Sequence, residues 1–207
     1  RGSWLSQDAL AVAIVGSREC TPYGLKQARE LARSLARAGY CVISGLARGI
    51  DGAAHEGALE GGGRTVAVHP GGLARIYPPE HAALAERVVH QGMLMSESPM
   101  ETPPERGMFH ARNRLISGLA LATVVIEAND RSGALITARH AAEQGRDVFV
   151  IPANVDSVAR AGSLQPLRKG AKLIRRIDDL PHDLPGLSPA PARPPPPAAP
   201  PPTRAAP

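Results

Sequence analysis

Between residues 11 and 174, short β-rich runs alternate with longer helical stretches, and this alternation constrains the chain more than any other feature. The predicted strands are Ala11–Gly16, Cys41–Ser44, Thr65–His69, Met93–Ser96, Ala122–Glu127, Asp147–Ile151 and Ala171–Ile174. Several are nearly continuous apolar runs, as strands covered on both faces must be. The predicted helices are Leu25–Ala38, Gly52–Glu60, His81–His90, Arg112–Leu119, Ala134–Glu143 and Gln165–Lys169. Gly39 and Gly145 follow two of them as helix-stop glycines. Strand-helix-strand repetition at this spacing builds βαβ units. The expected fold is therefore α/β and extended Rossmann-like: a mainly parallel sheet with helices on both faces, spanning residues 11–180. With 207 residues, 43% of them hydrophobic, the chain is long enough to bury one real core.

The ends read differently. Residues 1–10 read as an N-terminal extension, with Arg1-Gly2-Ser3 the remains of an expression tag or of an upstream domain. Residues 181–207 hold 12 of the 21 prolines and almost no large apolar side chain. Such a stretch cannot bury enough surface to offset chain entropy, so it reads as a proline-rich disordered linker or tail, with a further domain expected beyond it. No run approaches the roughly 18 apolar residues of a membrane helix, and no signal peptide opens the chain. Cys20 and Cys41 form no CxxC pair, and seven scattered histidines lack zinc-ligand spacing. A disulfide scaffold, a structural zinc and a spanning segment are all disfavoured, and a cytoplasmic location without metal or cofactor is expected.

Charge is informative once it is placed. The formal net charge is +5, yet residues 1–104 are balanced and the positive excess lies within 105–176. Arginine outnumbers lysine 21 to 3. Arginine forks hold phosphate oxygens in pairs and stack on bases, which makes nucleic acid the leading anionic partner. A GC-rich genome, rich in arginine codons, accounts for the same count without any partner.

In open α/β sheets, ligands bind beyond the carboxyl ends of the strands. The first such segment, Gly16-Ser17-Arg18, combines small residues that admit an anion with an arginine that would grip it. The second runs from Ser44 through Gly45 and Arg48 to Asp51, which is placed to cap the following helix. His55, one turn on, reads as a packed or hydrogen-bonded histidine. The third, His69 to Pro78, is a stiff glycine-proline loop that lines a pocket or merely closes it. The fourth gathers Arg106, Phe109, Arg112, Asn113 and Arg114, the composition of a surface where bases stack and phosphates pair. Arg112 and Arg114 lie about 200° apart on a helix and cannot both face one pocket. Asn113 is expected to hold a loop backbone. The fifth, Ser132-Gly133, opens a helix as a cap and a close-approach glycine. Each has a plain structural reading beside the functional one. No nucleophile elbow, Walker loop or dinucleotide fingerprint is present. Glu127, at a strand exit, is the carboxylate to check.

Taken together, VAIVGSREC (12–20), VISGLARGIDGAAHEGAL (42–59), RTVAVHPGGLARIYPPEH (64–81), FHARNRLISGLA (109–120), SGALITARHAAEQGRDVFVIP (132–152) and LRKGAKLI (167–174) strongly resemble the DNA-processing protein A family, also called DprA or Smf. The resemblance implies an extended Rossmann fold that binds single-stranded DNA, forms a homodimer, and loads RecA recombinase in natural transformation or repair, without catalysis of its own. It implies a DNA site made of Gly16, Ser17, Arg18, Gly45, Arg48, Arg106, Phe109, Arg112, Asn113, Arg114, Ser132 and Gly133. Three positions depart from the family pattern: His110 where proline is common, Pro152-Ala153 for Pro-Gly, and Gln165 for asparagine. The competing reading is a nucleotide hydrolase of the lysine-decarboxylase-like LOG group, or a small-nucleotide sensor on the same fold. Pro70-Gly71-Gly72 begins the LOG motif, but Ala74, Arg75 and Pro78 occupy its Gly, Thr and Glu positions, so the catalytic acid is missing.

Overall fold

The structure is a computed structural model that describes residues 1–130, 132–151 and 162–180. The proline-rich 181–207 and the Pro152-Ala153 step lie outside the described residues. Seven strands form one parallel sheet: β1 (Ala11–Gly16), β2 (Cys41–Ser44), β3 (Thr65–Val68), β4 (Met93–Met95), β5 (Ala122–Ile126), β6 (Asp147–Ile151) and β7 (Lys172–Leu173). Their spatial order is β4-β3-β2-β1-β5-β6-β7. Every adjacent pair is parallel. The connecting helices are α1 (Pro22–Arg37), α2 (Ile50–Glu60), α3 (Ala82–Gln91), α4 (Arg106–Gly118), α5 (Gly133–Glu143) and α6 (Leu164–Arg168). This is the expected extended Rossmann-like α/β fold. The strand order reverses between β1 and β5, and a doubly wound sheet opens its ligand crevice at such a switch point.

The central strands are buried on both faces, and their side chains divide by the period of two. Val12 and Ile14 join Leu31 and Leu35 of α1 and Phe149 of β6 in one core layer. Ala13 and Val15 point the other way, toward Ile116 of α4 and Ala138 of α5. A third, smaller cluster packs α3 on β3 and β4 through Leu84, Val88 and Leu94. Thr21 caps α1 by accepting the Gly24 N–H at 3.1 Å, and Pro22 occupies the first helical position, where its missing N–H costs nothing.

Residues 1–3 pair with the β4 edge, and the 3-10 turn at 6–9 packs near β2. The Arg1 amino group donates to the Leu94 carbonyl at 2.8 Å, and Gly2 bridges Met93 antiparallel. The Asp8 carboxylate is buried and accepts from Arg64 at 2.6 and 2.9 Å.

Three helix starts differ from the sequence reading by two residues or more. α4 begins at Arg106 rather than Arg112, because the helix starts directly after Pro103-Pro104 and continues through Gly107. α2 begins at Ile50 with Gly49 at its N-cap, so Asp51 lies inside the helix and is not its cap. α1 begins at Pro22 rather than Leu25. Among the described residues no helix is long and apolar enough to cross a membrane.

His55 of α2 is fully buried, with Nδ1 2.7 Å from Thr65 Oγ1. That hydroxyl spends its own proton on the Val42 carbonyl at 2.7 Å, so the Nδ1–H must be the donor to it. Nε2 has no hydrogen-bond partner among the described residues. Burial, reinforced by the nearby Arg112 guanidinium, pushes the His55 pKa down from 6.5 to about 3. Between these values the unfolded chain binds the extra proton, so stability is complete above pH 6.5 and falls as pH drops toward 3. One such histidine removes about 2 kcal/mol by pH 5, before most carboxylates titrate. His69, also lowered by burial, acts in the same direction. Urea unfolding at pH 7 and pH 5 is expected to show a smaller loss in His55→Asn than in the unaltered protein. An equal loss in both would mean that His55 takes up its proton in the fold at the same pH as in the unfolded chain.

Candidate nucleic-acid interface

A cavity of about 340 Å³ opens at the switch point, beyond the carboxyl ends of β1 and β5. One wall is the β1–α1 loop, Gly16 to Glu19. The opposite wall is the N-terminus of α5, Ser132 to Ala134. Phe109 and Asn113 of α4 close one side, and Asp51 and Arg112 lie at the floor.

The β1–α1 loop is built for close approach. A Cβ on Gly16 would come 2.0 Å from the Ile126 carbonyl oxygen, so only glycine lets the ends of β1 and β5 meet here. The Ser17 N–H donates to the Glu127 carbonyl at 2.7 Å, and the Ser17 hydroxyl accepts the Glu19 N–H at 3.1 Å. Arg18 is left exposed at the mouth with no ion-pair partner among the described residues, its guanidinium 5.0 Å from the centre of the Phe109 ring. Glu127 is buried, with a left-handed φ of 47°. Its carboxylate accepts the Thr21 N–H at 2.8 Å and the Thr21 hydroxyl, just ahead of α1, where the helix dipole favours a negative charge. The strand-exit carboxylate is thus a brace for α1.

At α5, the Ser132 hydroxyl accepts the Ala134 N–H at 3.2 Å, capping the helix as its residue type requires. Asn113 donates from Nδ2 to the Gly133 carbonyl at 3.2 Å. It holds the backbone of that wall, the role the sequence suggested for it.

Arg112 sits beneath the cavity and is only 5% exposed. Its Nη1 donates to the Gly45 carbonyl at 2.7 Å and to the Val68 carbonyl, tying the ends of β2 and β3 to α4. A Cβ on Gly45 would lie 2.5 Å from Arg112 Nη1 and 2.6 Å from Asp51 Oδ2, so this glycine is needed for the buried cluster. The Asp51 carboxylate accepts the Ala47 N–H at 3.4 Å. Burial pushes Arg112 down to about 10, against the opposing pull of Asp51, and it stays charged at neutral pH. Burial likewise raises Asp51, with Arg112 the main opposing influence.

Helical spacing explains which members of the arginine-rich segment meet. Phe109, Arg112, Asn113 and Ile116 fall on one face, at i, i+3, i+4 and i+7. Arg114 points away and donates to both Glu97 carboxylate oxygens at 2.6 and 2.7 Å. Arg106 is exposed on the first turn and does not line the cavity. Arg48 also lies outside it, paired with Glu80 and 5.8 Å from the centre of the Tyr77 ring. Tyr77 in turn meets Phe109 edge to face, centroids 5.5 Å apart. Of the twelve residues expected at the site, eight line the cavity; Gly45, Arg48, Arg106 and Arg114 do not. The sequence reading singled out neither Tyr77 nor Thr137, which also lines it. An aromatic inside the glycine-proline loop was the available signal for the first. Thr137 carried none, since a threonine one turn into a helix is unremarkable. The departure at Gln165 is accommodated by a 2.8 Å hydrogen bond from its Nε2 to Asp130.

The sequence profile of the family described as DNA recombination-mediator protein A matches residues 1–185. The chain is 40% identical over 174 residues to the DNA processing protein DprA of Bacillus subtilis, covering 84% of this chain and 59% of that protein. It is 45% identical over 163 residues to the protein Smf of Synechocystis, covering 79% and 41% respectively. The chain therefore spans about half the length of these relatives. Among solved structures, DNA processing protein A of Streptococcus pneumoniae superposes with a TM-score of 0.80 at 38% identity, over 86% of this chain and 63% of that one. The Helicobacter pylori protein, whose structure describes a single-stranded DNA binding mode, gives 0.76 at 34% identity, over 83% and 78%. The molybdenum cofactor carrier protein of Chlamydomonas reinhardtii, at 16% identity over 81% of this chain and 90% of its own and a TM-score of 0.55, shares the fold alone.

Proposed function

The chain belongs to the DNA recombination-mediator protein A family, and on that premise we propose that it binds single-stranded DNA across the strand-end crevice and delivers it to RecA recombinase. The observation that carries this reading is the exposed Arg18, without an ion-pair partner among the described residues, resting on Phe109 at the mouth of the switch-point cavity. An exposed arginine on an aromatic face offers the two things a single strand presents, a phosphate and a base. A cation–π contact at an exposed site is worth about 0.5–1 kcal/mol, whereas stacking a base on an aromatic ring is worth about 1–3. An incoming base therefore displaces the guanidinium from the ring, and the freed guanidinium grips the phosphate beside it. The α5 N-terminus on the opposite wall favours negative charge.

The role proposed is sequence-independent and non-catalytic. The two buried carboxylates at the strand ends, Asp51 and Glu127, both hold backbone N–H groups, and Glu19 on the cavity wall is exposed. Homodimer formation, RecA loading, and a place in natural transformation, homologous recombination or repair rest on the family membership. So does a cytoplasmic location.

Fluorescence anisotropy with matched single- and double-stranded oligonucleotides at several salt concentrations tests the reading. Single-strand-selective binding is expected, with log K falling against log salt by about 0.7 for each phosphate neutralised. Binding that ignores salt, or that prefers duplex, would overturn it.

A further inference from the structure

One aromatic ring beside the cavity is unused by the path described so far. Tyr77, in the loop between β3 and α3, is only partly exposed, and its ring plane stands 76° to that of Phe109. The loop is braced around it. The Tyr77 N–H donates to His69 Nε2 at 2.9 Å, while His69 Nδ1 donates to the Gly71 carbonyl at 2.8 Å. Arg48 backs the Tyr77 ring and is itself anchored by Glu80. Arg18, Phe109, Tyr77 and Arg48 thus form a continuous row of alternating charge and ring along the crevice.

Resting on the proposed single-strand binding, we propose that Tyr77 is a second base-stacking subsite, taking the nucleobase next to the one on Phe109. The geometry favours a splayed strand. The two rings are 5.5 Å apart and nearly perpendicular, whereas stacked bases rise by about 3.4 Å and stay parallel. Only a strand whose neighbouring bases are unstacked and turned relative to each other fits both rings, so the pair discriminates against duplex. Arg48, held by Glu80, orients the ring, and Arg18 remains for the intervening phosphate.

The test uses the unaltered protein and an oligothymidylate carrying one 5-iododeoxyuridine, moved along the strand. After irradiation, the adducts are mapped by peptide mass spectrometry. Adducts at Phe109 and at Tyr77 from adjacent nucleotide positions are expected. Tyr77→Leu should weaken binding about tenfold and lose the second adduct, while Tyr77→Phe should bind within about twofold of the original. Adducts at Phe109 alone, with DNA bound, would overturn this subsite and leave the proposed function standing. Absence of single-strand binding would overturn both.

Discussion

Arg112→Met is expected to cost about 3–5 kcal/mol of folding stability, the largest loss for any single arginine in the segment 106–114, because it strands a buried charge. The side chain is 5% exposed and donates to two strand-end carbonyls, those of Gly45 and Val68. Methionine keeps much of the volume but satisfies neither carbonyl. It also leaves the buried Asp51 carboxylate facing no cation from α4. Arg114→Met supplies the contrast. Its pair with Glu97 is about half exposed on both sides, and such surface pairs are worth about 0–1 kcal/mol. Urea unfolding of the two variants side by side should separate them clearly. Combining Arg112→Met with Asp51→Asn should recover part of the loss, since the stranded charge goes with it. If Arg112→Met instead unfolds like Arg114→Met while DNA binding collapses, Arg112 is a phosphate ligand reached through the cavity floor.

The contrast between Arg112 and Arg114 also shows where the sequence was legible. Helical geometry alone requires that two residues two apart point in different directions, and it places Asn113 with one of them. It does not say which arginine faces inward, since that depends on where α4 lies over the sheet. The strands were legible because buried parallel strands are apolar throughout: β1, β2 and β6 match their predicted spans. The start of α4 was not, because Gly107 in its first turn imitates a loop, and only the preceding Pro103-Pro104 marks the boundary. The earlier start places Phe109 on the helix, where its direction is shared with Arg112 and Asn113 in the next turn. Asp51 misled in a related way. An Asp close behind a glycine at a strand exit has the signature of a cap, but here it lies across the buried Gly45 from Arg112, some sixty residues further along the chain. Pairings between residues sixty positions apart leave no local pattern. The Arg48–Glu80 pair, between residues on different loops, is likewise invisible to local pattern, and Arg48 lies outside the cavity lining.

Phe109→Ala and Arg18→Ala are expected to weaken single-strand binding by different physics, and the difference is measurable. Losing the Phe109 face removes about 1–3 kcal/mol of base stacking, a tenfold to hundredfold drop, at any salt concentration. Losing Arg18 removes one phosphate contact, so the slope of log K against log salt becomes shallower by about 0.7. Phe109→Leu, which keeps the apolar contact with α4's surroundings but not the π face, should behave like the alanine variant. The double variant decides how the two residues act together. In the free protein the guanidinium lies 5.0 Å from the ring centre, so the two are coupled before DNA arrives. If the base displaces Arg18 onto the phosphate, each then touches a different part of the nucleotide. Their effects on binding should then add to within about 0.5 kcal/mol. If Arg18 stays on the ring and sandwiches the base, removing either one abolishes most of the same contact and the double variant is little worse than the worse single one. A shallower salt slope in Phe109→Ala would favour the sandwich, since the ring would then be what holds the charge in place. The expected outcome is the additive one, because stacking outweighs the exposed cation–π contact and the phosphate offers the guanidinium a stronger, charge-assisted partner.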